Sequence, residues 1–259
     1  MTQNERLKLL NQYLLNEMPQ YREQAEQFGN YYTEQFRLFR SLVNVRPPMA
    51  AKRDFLTLQD EFLKEETKKK GITCISELTP LREDIYIWQG DITALRCDAI
   101  VNAANSRMLG CFCPCHECID NAIHTYAGVQ LRLSCANLMK EQGHEEPEGK
   151  AKITYAFNLP SKYVLHTVGP IICGNVGKTD EEILASCYCS CLELAEKNNV
   201  GSIAFCCIST GEFHFPNRPA AKIAIDSVSK HKDSTESKIK VIFNVFKDID
   251  YEIYSDLLR

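Results

Sequence analysis

The sequence predicts an α/β fold: a mixed, mostly parallel sheet covered by helices on both faces, with a helical extension at the N-terminus. Two observations predict it. After Pro80, short apolar runs alternate with helical patterns, an order typical of parallel strands joined by crossover helices. Before Pro80, apolar residues recur at helical spacing. We therefore expect a helical extension over residues 1–80 and an α/β domain over residues 81–259.

The extension carries two predicted helices and contains neither Cys nor His up to residue 70. The first ends before Pro47 and Pro48, because proline cannot donate to a helical ladder. The second runs from Asp54, a candidate N-cap, to Lys70, and Gly71 stops it. We interpret the extension as a layer packed on the main domain; a dimerisation or partner surface is the alternative. The apolar face of the first helix consists of Tyr21, Ala25, Phe28, Tyr32, Phe36, Phe39 and Val43.

Strands and helices alternate in the α/β part. The ligands of such sheets bind outside the carboxyl ends of the strands, so the residues that follow each strand are the candidates for function. A polar stretch, Lys232–Lys238, is expected to be a solvated loop. The predicted strands are Ile85–Gln89, Ala99–Asn102, Ile153–Phe157, Tyr163–Val168, Ile203–Ile208 and Val241–Phe246. The predicted helices are Asp120–Tyr126, Val129–Glu141, Glu181–Asn198, Ala220–His231 and Tyr251–Leu258.

Composition excludes several classes of protein. The 44% hydrophobic and 25% charged content is that of a globular protein rather than a disordered one. A net charge of -4 argues against a general nucleic-acid binder. The sequence contains no run of about 20 apolar residues, so we expect no membrane span. The polar start lacks the features of a signal peptide. We expect a cytoplasmic protein whose 13 Cys are reduced thiols.

Three segments that follow strands carry polar groups with a chemical use. Asp91 is able to accept a hydrogen bond from an exocyclic amine such as that of adenine, although capping the next turn is the commoner use. The amides of Asn102 and Asn105 are able to hold ribose hydroxyls. The backbone N–H groups of Ser209–Gly211 are able to converge on an anion. Each of these signals is weak alone.

The segment from Cys111 to Cys118 is a stronger signal. It contains four Cys and one His within a polar, irregular stretch, which makes a Cys-rich core turn a poor interpretation. Thiolate and imidazole groups suit zinc. A closed structural site uses four protein ligands, whereas a catalytic site uses three and keeps one position open. Spacing alone does not decide between the two.

Taken together, these segments resemble the macrodomain family, three-layer α/β/α sandwiches that bind ADP-ribose. Gly90–Thr93 is similar to the adenine-side motif of the family, and Val101–Ser106 to its NAAN segment. Asp120–Gly128 resembles the start of the helix after the first ligand loop, and Ser209–Phe213 the pyrophosphate loop. Gly110–Asn121 is similar to zinc-containing microbial ADP-ribosyl hydrolases, which are linked to sirtuin-like ADP-ribosyltransferases.

The resemblance implies a zinc-dependent hydrolase that removes mono-ADP-ribose from modified, acidic side chains of a protein, with a lipoate-dependent carrier protein as one candidate substrate. One Zn²⁺ per chain would be held by Cys111, His116 and Cys118, while Cys113 and Cys115 fall on variable positions. The alternatives are a non-catalytic ADP-ribose reader whose structural zinc is completed by Cys113 or Cys115, and an O-acetyl-ADP-ribose deacetylase. A redox-responsive thiol domain is a further alternative.

The resemblance also implies the roles of single residues. Asp120 would orient or deprotonate the attacking water, and Asn105 would position the distal ribose. Glu212 departs from the aliphatic residue common in the family, and we expect it to point away from the pyrophosphate. Phe246 is expected either to stack on adenine or to pack in the core. The expected substrate-binding residues are Asp91, Ile92, Asn102, Asn105, Ser209, Thr210, Gly211, Glu212, Phe213 and Phe246.

Overall fold

Four helices form the N-terminal part of the computed structural model, which describes residues 1–259. Their apolar faces meet in a separate cluster of 12 buried residues, to which Val129 is the one contributor from beyond residue 80. The division of the chain near residue 80 remains a prediction. The helices are α1 (Gln3–Glu17), α2 (Arg22–Ala25), α3 (Tyr32–Val45) and α4 (Arg53–Lys70).

The prediction of one continuous helix through Tyr21–Val43 is wrong, because the chain leaves helical conformation between α2 and α3. Gly29 lies in this break, and glycine in a helix costs about 1 kcal/mol relative to alanine. The predicted apolar residues nevertheless share one cluster with α1 and α4. The predicted end before Pro47 is confirmed.

The predicted limits of α4 are correct at its end and slightly wrong at its start. Gly71 follows the helix with φ +86°, a conformation that favours glycine. The N-cap is Lys52, so Asp54 lies in the first turn, where its charge suits the positive end of the helix dipole.

The main sheet has six strands in the order β2-β8-β7-β4-β6-β5. All neighbours pair in parallel except β5, which is antiparallel to β6, so the prediction of a mixed, mostly parallel sheet is confirmed. A second, two-stranded sheet joins β1 and β3. The strands are β1 (Thr73–Cys74), β2 (Ile85–Gln89), β3 (Leu95–Arg96), β4 (Ala99–Ala103), β5 (Ala151–Tyr155), β6 (Tyr163–Thr167), β7 (Ser202–Phe205) and β8 (Lys240–Val245).

Two groups of helices flank this sheet and complete the α/β/α sandwich. Helices α5 and α6 contact each other, and α5 also contacts α3 and α4; helices α7, α8 and α9 pack in series. The sheet and its helices bury a cluster of 46 residues. No helix is both long and apolar enough to span a membrane. The helices are α5 (Ile119–Ala127), α6 (Val129–Gln142), α7 (Lys178–Lys197), α8 (Asn217–Thr235) and α9 (Asp248–Leu258).

Several element boundaries differ from the prediction by two to four residues. Strand β7 ends at Phe205 rather than Ile208, and helices α7, α8 and α9 each begin three residues earlier than predicted. Strand β5 ends at Tyr155 rather than Phe157, and Phe157 takes a φ of +53°, which is not strand conformation. The expected loop at Lys232–Lys238 is helical as far as Thr235 and ends at Glu236 in left-handed conformation. Its polar residues are tolerated because one face of a surface helix is solvated.

Candidate functional site

The predicted site residues follow parallel strands and therefore lie at one edge of the sheet. Asp91 follows β2, Asn105 follows β4, the Ser209–Phe213 loop follows β7 and Phe246 follows β8. This edge lies outside the carboxyl ends of the strands, where open α/β sheets bind their ligands. The fold thus brings together four segments that are far apart in the sequence.

Asp91 has an intramolecular role at this edge. Its Oδ1 accepts hydrogen bonds from the backbone N–H of Thr93 at 2.9 Å and from its hydroxyl at 2.6 Å, so it caps the following turn. Its Oδ2 lies 2.6 Å from Nζ of Lys70, at the end of α4. Burial raises the pKa of Asp91, but the charge of Lys70 and the hydrogen bonds outweigh it and leave the pKa below its usual value.

Ile92 and Asn244 complete the turn around Asp91. The Ile92 side chain belongs to the main core, which leaves only its backbone for a ligand, and that N–H makes no hydrogen bond within the protein. Asn244, on β8, donates from Nδ2 to the carbonyl of Gly90 at 2.9 Å. Sequence reasoning missed Asn244, because its neighbours along β8 are apolar and only the pairing of β8 with β2 brings it to this turn.

Asp120 lies in the first turn of α5 and is 5% exposed. Its Oδ1 accepts a hydrogen bond from Asn102 Nδ2 at 2.8 Å and lies 3.4 Å from Nε2 of His124. Its Oδ2 lies 3.5 Å from Nδ2 of Asn105. Burial raises the pKa of Asp120 to about 6, although the hydrogen bond from Asn102 and the charge of Arg132 lower it. Both amides of the NAAN segment are therefore directed at this carboxylate.

The structure changes the role expected of Asn102. Its side chain is 0% exposed, so it does not face a ligand at the surface. Besides Asp120, it contacts Nδ1 of His166 at 3.2 Å, and Nε2 of His166 lies 2.9 Å from the Thr154 hydroxyl. Asn102 is thus part of a buried polar network behind Asp120. Asn105 is half-buried and also holds its own loop, since its Oδ1 accepts from the backbone N–H of Arg107.

Cys111, His116 and Cys118 form a compact group. One ligand atom from each lies within 4.8 Å of the other two, so the structure brings together the three residues expected to bind metal. Cys118 is the N-cap of α5, and its Sγ accepts from the backbone N–H of Asn121 at 3.4 Å. Burial and the neighbouring Cys111 thiol raise the pKa of Cys118 to about 12.

These residues fit a zinc ion by the chemistry of their donors. Two thiols and one imidazole are typical zinc ligands, with Zn–S distances of about 2.3 Å and Zn–N distances of about 2.0–2.1 Å. Nδ1 of His116 is buried and has no hydrogen-bond partner in the protein, which is costly for a polar atom unless something else binds it. Three protein ligands leave one coordination position for a fourth.

Cys113 and Cys115 lie outside this group. Cys113 is exposed. Cys115 points to α3, where its Sγ lies 3.3 Å from the Ser41 hydroxyl and 3.4 Å from the carbonyl of Arg37. Neither thiol is therefore placed to complete a four-ligand site with the group above.

The Ser209–Phe213 loop presents unused backbone donors. The N–H groups of Gly211, Glu212 and Phe213 make no hydrogen bond within the protein. The N–H of Thr210, which was expected to face an anion, instead lies 3.4 Å from the carbonyl of Cys207, so the run of free donors begins further along the loop than predicted. Ser209 adopts φ +63°, and its carbonyl accepts from the N–H of Phe215 at 2.9 Å, which closes the loop. Consecutive free N–H groups in such a turn form a concave site for an anion.

The exposure and contacts of three further side chains can be compared with the positions that the sequence predicted for them. Glu212 is 68% exposed, and its Oε1 lies 3.7 Å from Nε2 of His116, so its carboxylate is directed to the metal group. Phe246 is 75% exposed, which excludes the alternative that it packs in the core. Phe213 is half-buried, and its carbonyl accepts from the N–H of Ile172 at 2.9 Å.

Sequence reasoning missed the residues that hold the Cys111–Cys118 segment in place. Arg40 and Asn44 come from α3, Asn121 from α5 and Arg132 from α6, and all four contact this segment through its backbone. No sequence signal identifies the first two, because more than 70 positions separate them from their partners. Asn121 follows Asp120 in the segment that resembles the family's helix start, so of these four residues it was the one that sequence analysis came closest to identifying.

Comparison with known proteins identifies the family of this chain. The Macro domain family model matches residues 101–224. A protein-ADP-ribose hydrolase of Treponema medium is 54% identical over 262 residues, covering 100% of both chains. A protein of the same name from Staphylococcus aureus (strain MRSA252) is 47% identical over 249 residues, covering 95% of this chain and 93% of its own. The structure of a Trypanosoma brucei macrodomain with ADP-ribose has a TM-score of 0.66 and 29% identity, covering 85% of this chain and 95% of its own. The chain therefore belongs to the Macro domain family, as the motifs in its sequence predicted.

Proposed function

We propose that this protein is a hydrolase that removes ADP-ribose from modified protein side chains, with zinc held by Cys111, His116 and Cys118. The observation that carries the proposal is a three-donor metal group at the N-terminus of α5, two residues before the buried carboxylate of Asp120. The relatives named protein-ADP-ribose hydrolases, which match this chain over nearly its whole length, support the reaction class.

ADP-ribose lies outside the carboxyl ends of the strands, where hydrogen-bond donors face its anionic pyrophosphate and a carboxylate acceptor faces its adenine amine. The free N–H groups of Gly211, Glu212 and Phe213 hold the pyrophosphate. Oδ2 of Asp91 accepts the adenine amine beside its contact with Lys70. The exposed ring of Phe246 stacks on the adenine, and Phe213 packs on the distal ribose.

The reaction breaks the bond between C1 of the distal ribose and the side-chain oxygen. Water supplies the hydroxyl to the ribose and a proton to the released carboxylate. Asp120 orients this water through the oxygen that faces Asn105, while Asn102 holds the other oxygen at 2.8 Å. A zinc ion held by Cys111, His116 and Cys118 would supply Lewis-acid chemistry toward a substrate or water oxygen.

The modified side chains are proposed to be acidic, so that an ester links ADP-ribose to the protein. A lipoate-dependent carrier protein, modified by a sirtuin-like transferase, is one candidate substrate. An O-acetyl-ADP-ribose deacetylase would use the same residues on a free acetyl ester, and an assay with that ester separates the two substrates. A reader with a closed structural zinc is disfavoured, because Cys113 and Cys115 lie outside the metal group.

The function is tested by measuring release of ADP-ribose from a mono-ADP-ribosylated protein by zinc-loaded and chelator-stripped enzyme. We expect release from the loaded enzyme, loss of release on stripping and recovery when zinc is returned. Mg²⁺ in place of zinc is the control and should not restore release, because thiolate ligands do not suit it. Tight binding of ADP-ribose without release from either form would identify a reader and contradict the proposal.

The adenine role of Asp91 gives a separate prediction. Asp91→Ala should weaken ADP-ribose binding by about 10–100-fold, because a hydrogen bond to a charged group contributes about 1.5–3 kcal/mol. Titration calorimetry measures the effect. Lys70→Met is the control, since it removes the ion pair with Asp91 but leaves the carboxylate in place. Equal losses in both variants would assign Asp91 to the internal contact and not to adenine.

A further inference from the structure

One face of α3, in the N-terminal extension, lies against the segment that carries the metal ligands. Arg40 and Asn44 are one helical turn apart and therefore share this face. The segment between Cys111 and Cys118 has no helix or strand of its own, and Cys115 within it adopts φ +54°. Within the segment the backbone N–H of His116 bonds to the carbonyl of Cys113 at 3.3 Å, and the other contacts that hold its backbone come from outside.

Arg40 makes the most direct of these contacts. Its Nη2 donates to the carbonyl oxygen of His116 at 2.7 Å. Nη2 and Nε also donate to Oδ1 of Asn121, at 2.8 and 3.1 Å. Nδ2 of Asn121 in turn donates to the carbonyl of Cys113 at 2.9 Å. One guanidinium thus joins the backbone of a metal ligand to the first turn of α5, which follows the ligand Cys118.

Two other residues support the same segment. Oδ1 of Asn44 accepts from the backbone N–H of Cys115 at 2.9 Å. Nη1 of the buried Arg132 donates to the carbonyl of Asn44 at 2.8 Å, near the end of α3, and its Nη2 lies 3.4 Å from the carbonyl of Cys111. The end of α3 and the ligand segment are therefore tied together at Cys111, Cys115 and His116.

We infer that Arg40 is a positioning residue for the metal group, and that the N-terminal extension is needed to build it. Arg40 fixes the backbone of His116 so that its imidazole stays within reach of the thiols of Cys111 and Cys118. The inference rests on the proposed metal group, and it assigns to the extension a role beyond packing on the main domain. The residue has to be arginine, because lysine lacks the planar fork that reaches two acceptors at once.

The test is the zinc affinity of the full-length protein, measured by competition with a chromophoric chelator, in the absence of substrate. Arg40→Ala should weaken zinc binding by about 10–100-fold, the usual effect of removing a group that orients a metal ligand. Arg40→Lys should fall between this variant and the wild type. Arg37→Ala is the matched control, because Arg37 lies one turn earlier on α3 and its exposed side chain makes no hydrogen bond or ion pair.

A second readout follows the geometry of the site. The visible absorption of Co²⁺ bound in place of zinc reports the number and arrangement of its ligands. We expect an altered Co²⁺ spectrum for Arg40→Ala and an unchanged one for Arg37→Ala. If Arg40→Ala does not fold, Arg40→Lys carries both measurements.

Two failures can be distinguished. A wild-type protein that binds neither Zn²⁺ nor Co²⁺ would contradict the proposed metal group and the role of Arg40 with it. A folded Arg40→Ala or Arg40→Lys protein with wild-type zinc affinity and spectrum would overturn the positioning role alone and leave the metal group intact.

Discussion

Replacing Cys118 should remove the bound zinc and the hydrolytic turnover together. The group formed by Cys111, His116 and Cys118 has three donors, so loss of one leaves two, too few to hold zinc in a protein site. A catalytic metal supplies several kcal/mol of transition-state stabilisation, so turnover should fall by at least about 100-fold. Zinc content and release of ADP-ribose from a modified protein, measured on the same preparation, check this expectation.

Two substitutions separate the proposed ligand role of Cys118 from its role as the N-cap of α5. Cys118→Ala removes both roles, whereas Cys118→Ser keeps a capping oxygen. We expect both variants to lose zinc, with the serine variant keeping the thermal stability of the stripped wild type. Cys113→Ala and Cys115→Ala are matched controls and should retain zinc and turnover, because neither thiol lies in the group. Retained zinc with full turnover in Cys118→Ser would refute the ligand assignment.

Asp120→Ala should bind ADP-ribose but turn over slowly. The carboxylate is proposed to orient the attacking water, and a positioned acid or base contributes about 100- to 10,000-fold to a rate. The free N–H groups of Gly211–Phe213, proposed to bind the pyrophosphate, are untouched by this change, so affinity for ADP-ribose should stay close to that of the wild type. Single-turnover kinetics and titration calorimetry measure the two quantities separately.

Replacing Asn102 perturbs the carboxylate of Asp120 without removing it, so its effect on turnover can be compared with that of Asp120→Ala. Its amide holds Oδ1 of Asp120 at 2.8 Å but is itself fully buried. Asn102→Ala should therefore reduce turnover less than Asp120→Ala and leave zinc content unchanged. Unchanged turnover in Asp120→Ala would remove this carboxylate from the mechanism.

Much of the architecture follows from local sequence patterns. Alternating apolar and helical stretches predicted the six strands of the main sheet and its helices to within a few residues, because burial on both faces requires continuous apolar strands. The single helix predicted across Gly29 was wrong, since the apolar face continues through the break while the backbone does not. Apolar spacing identifies which side chains are buried, but it is less sensitive to where a helix is interrupted.

The candidate metal group shows what a short segment can reveal. Four Cys and one His lie within the eight positions from Cys111 to Cys118, so a candidate zinc segment could be recognised before the fold was known. The choice of Cys111, His116 and Cys118 among them came from the resemblance to zinc-containing macrodomains. The surroundings of Cys115 could not be recognised in this way, because they depend on how α3 meets the segment. Cys115 is directed to Ser41, a residue on another helix.

The sequence by itself determined the α/β class and identified Cys111–Cys118 as a candidate metal segment, because these depend on local periodicity and on residues close together in the chain. The three candidate metal ligands within that segment followed from the resemblance of its motifs to macrodomains. Only the tertiary structure decided that Asn102 faces Asp120, that Lys70 pairs with Asp91 and that Arg40 holds the backbone of His116. Packing brings these partners together from separate elements. A hydrogen bond between distant residues depends on distance and orientation in the folded chain, which no local pattern encodes.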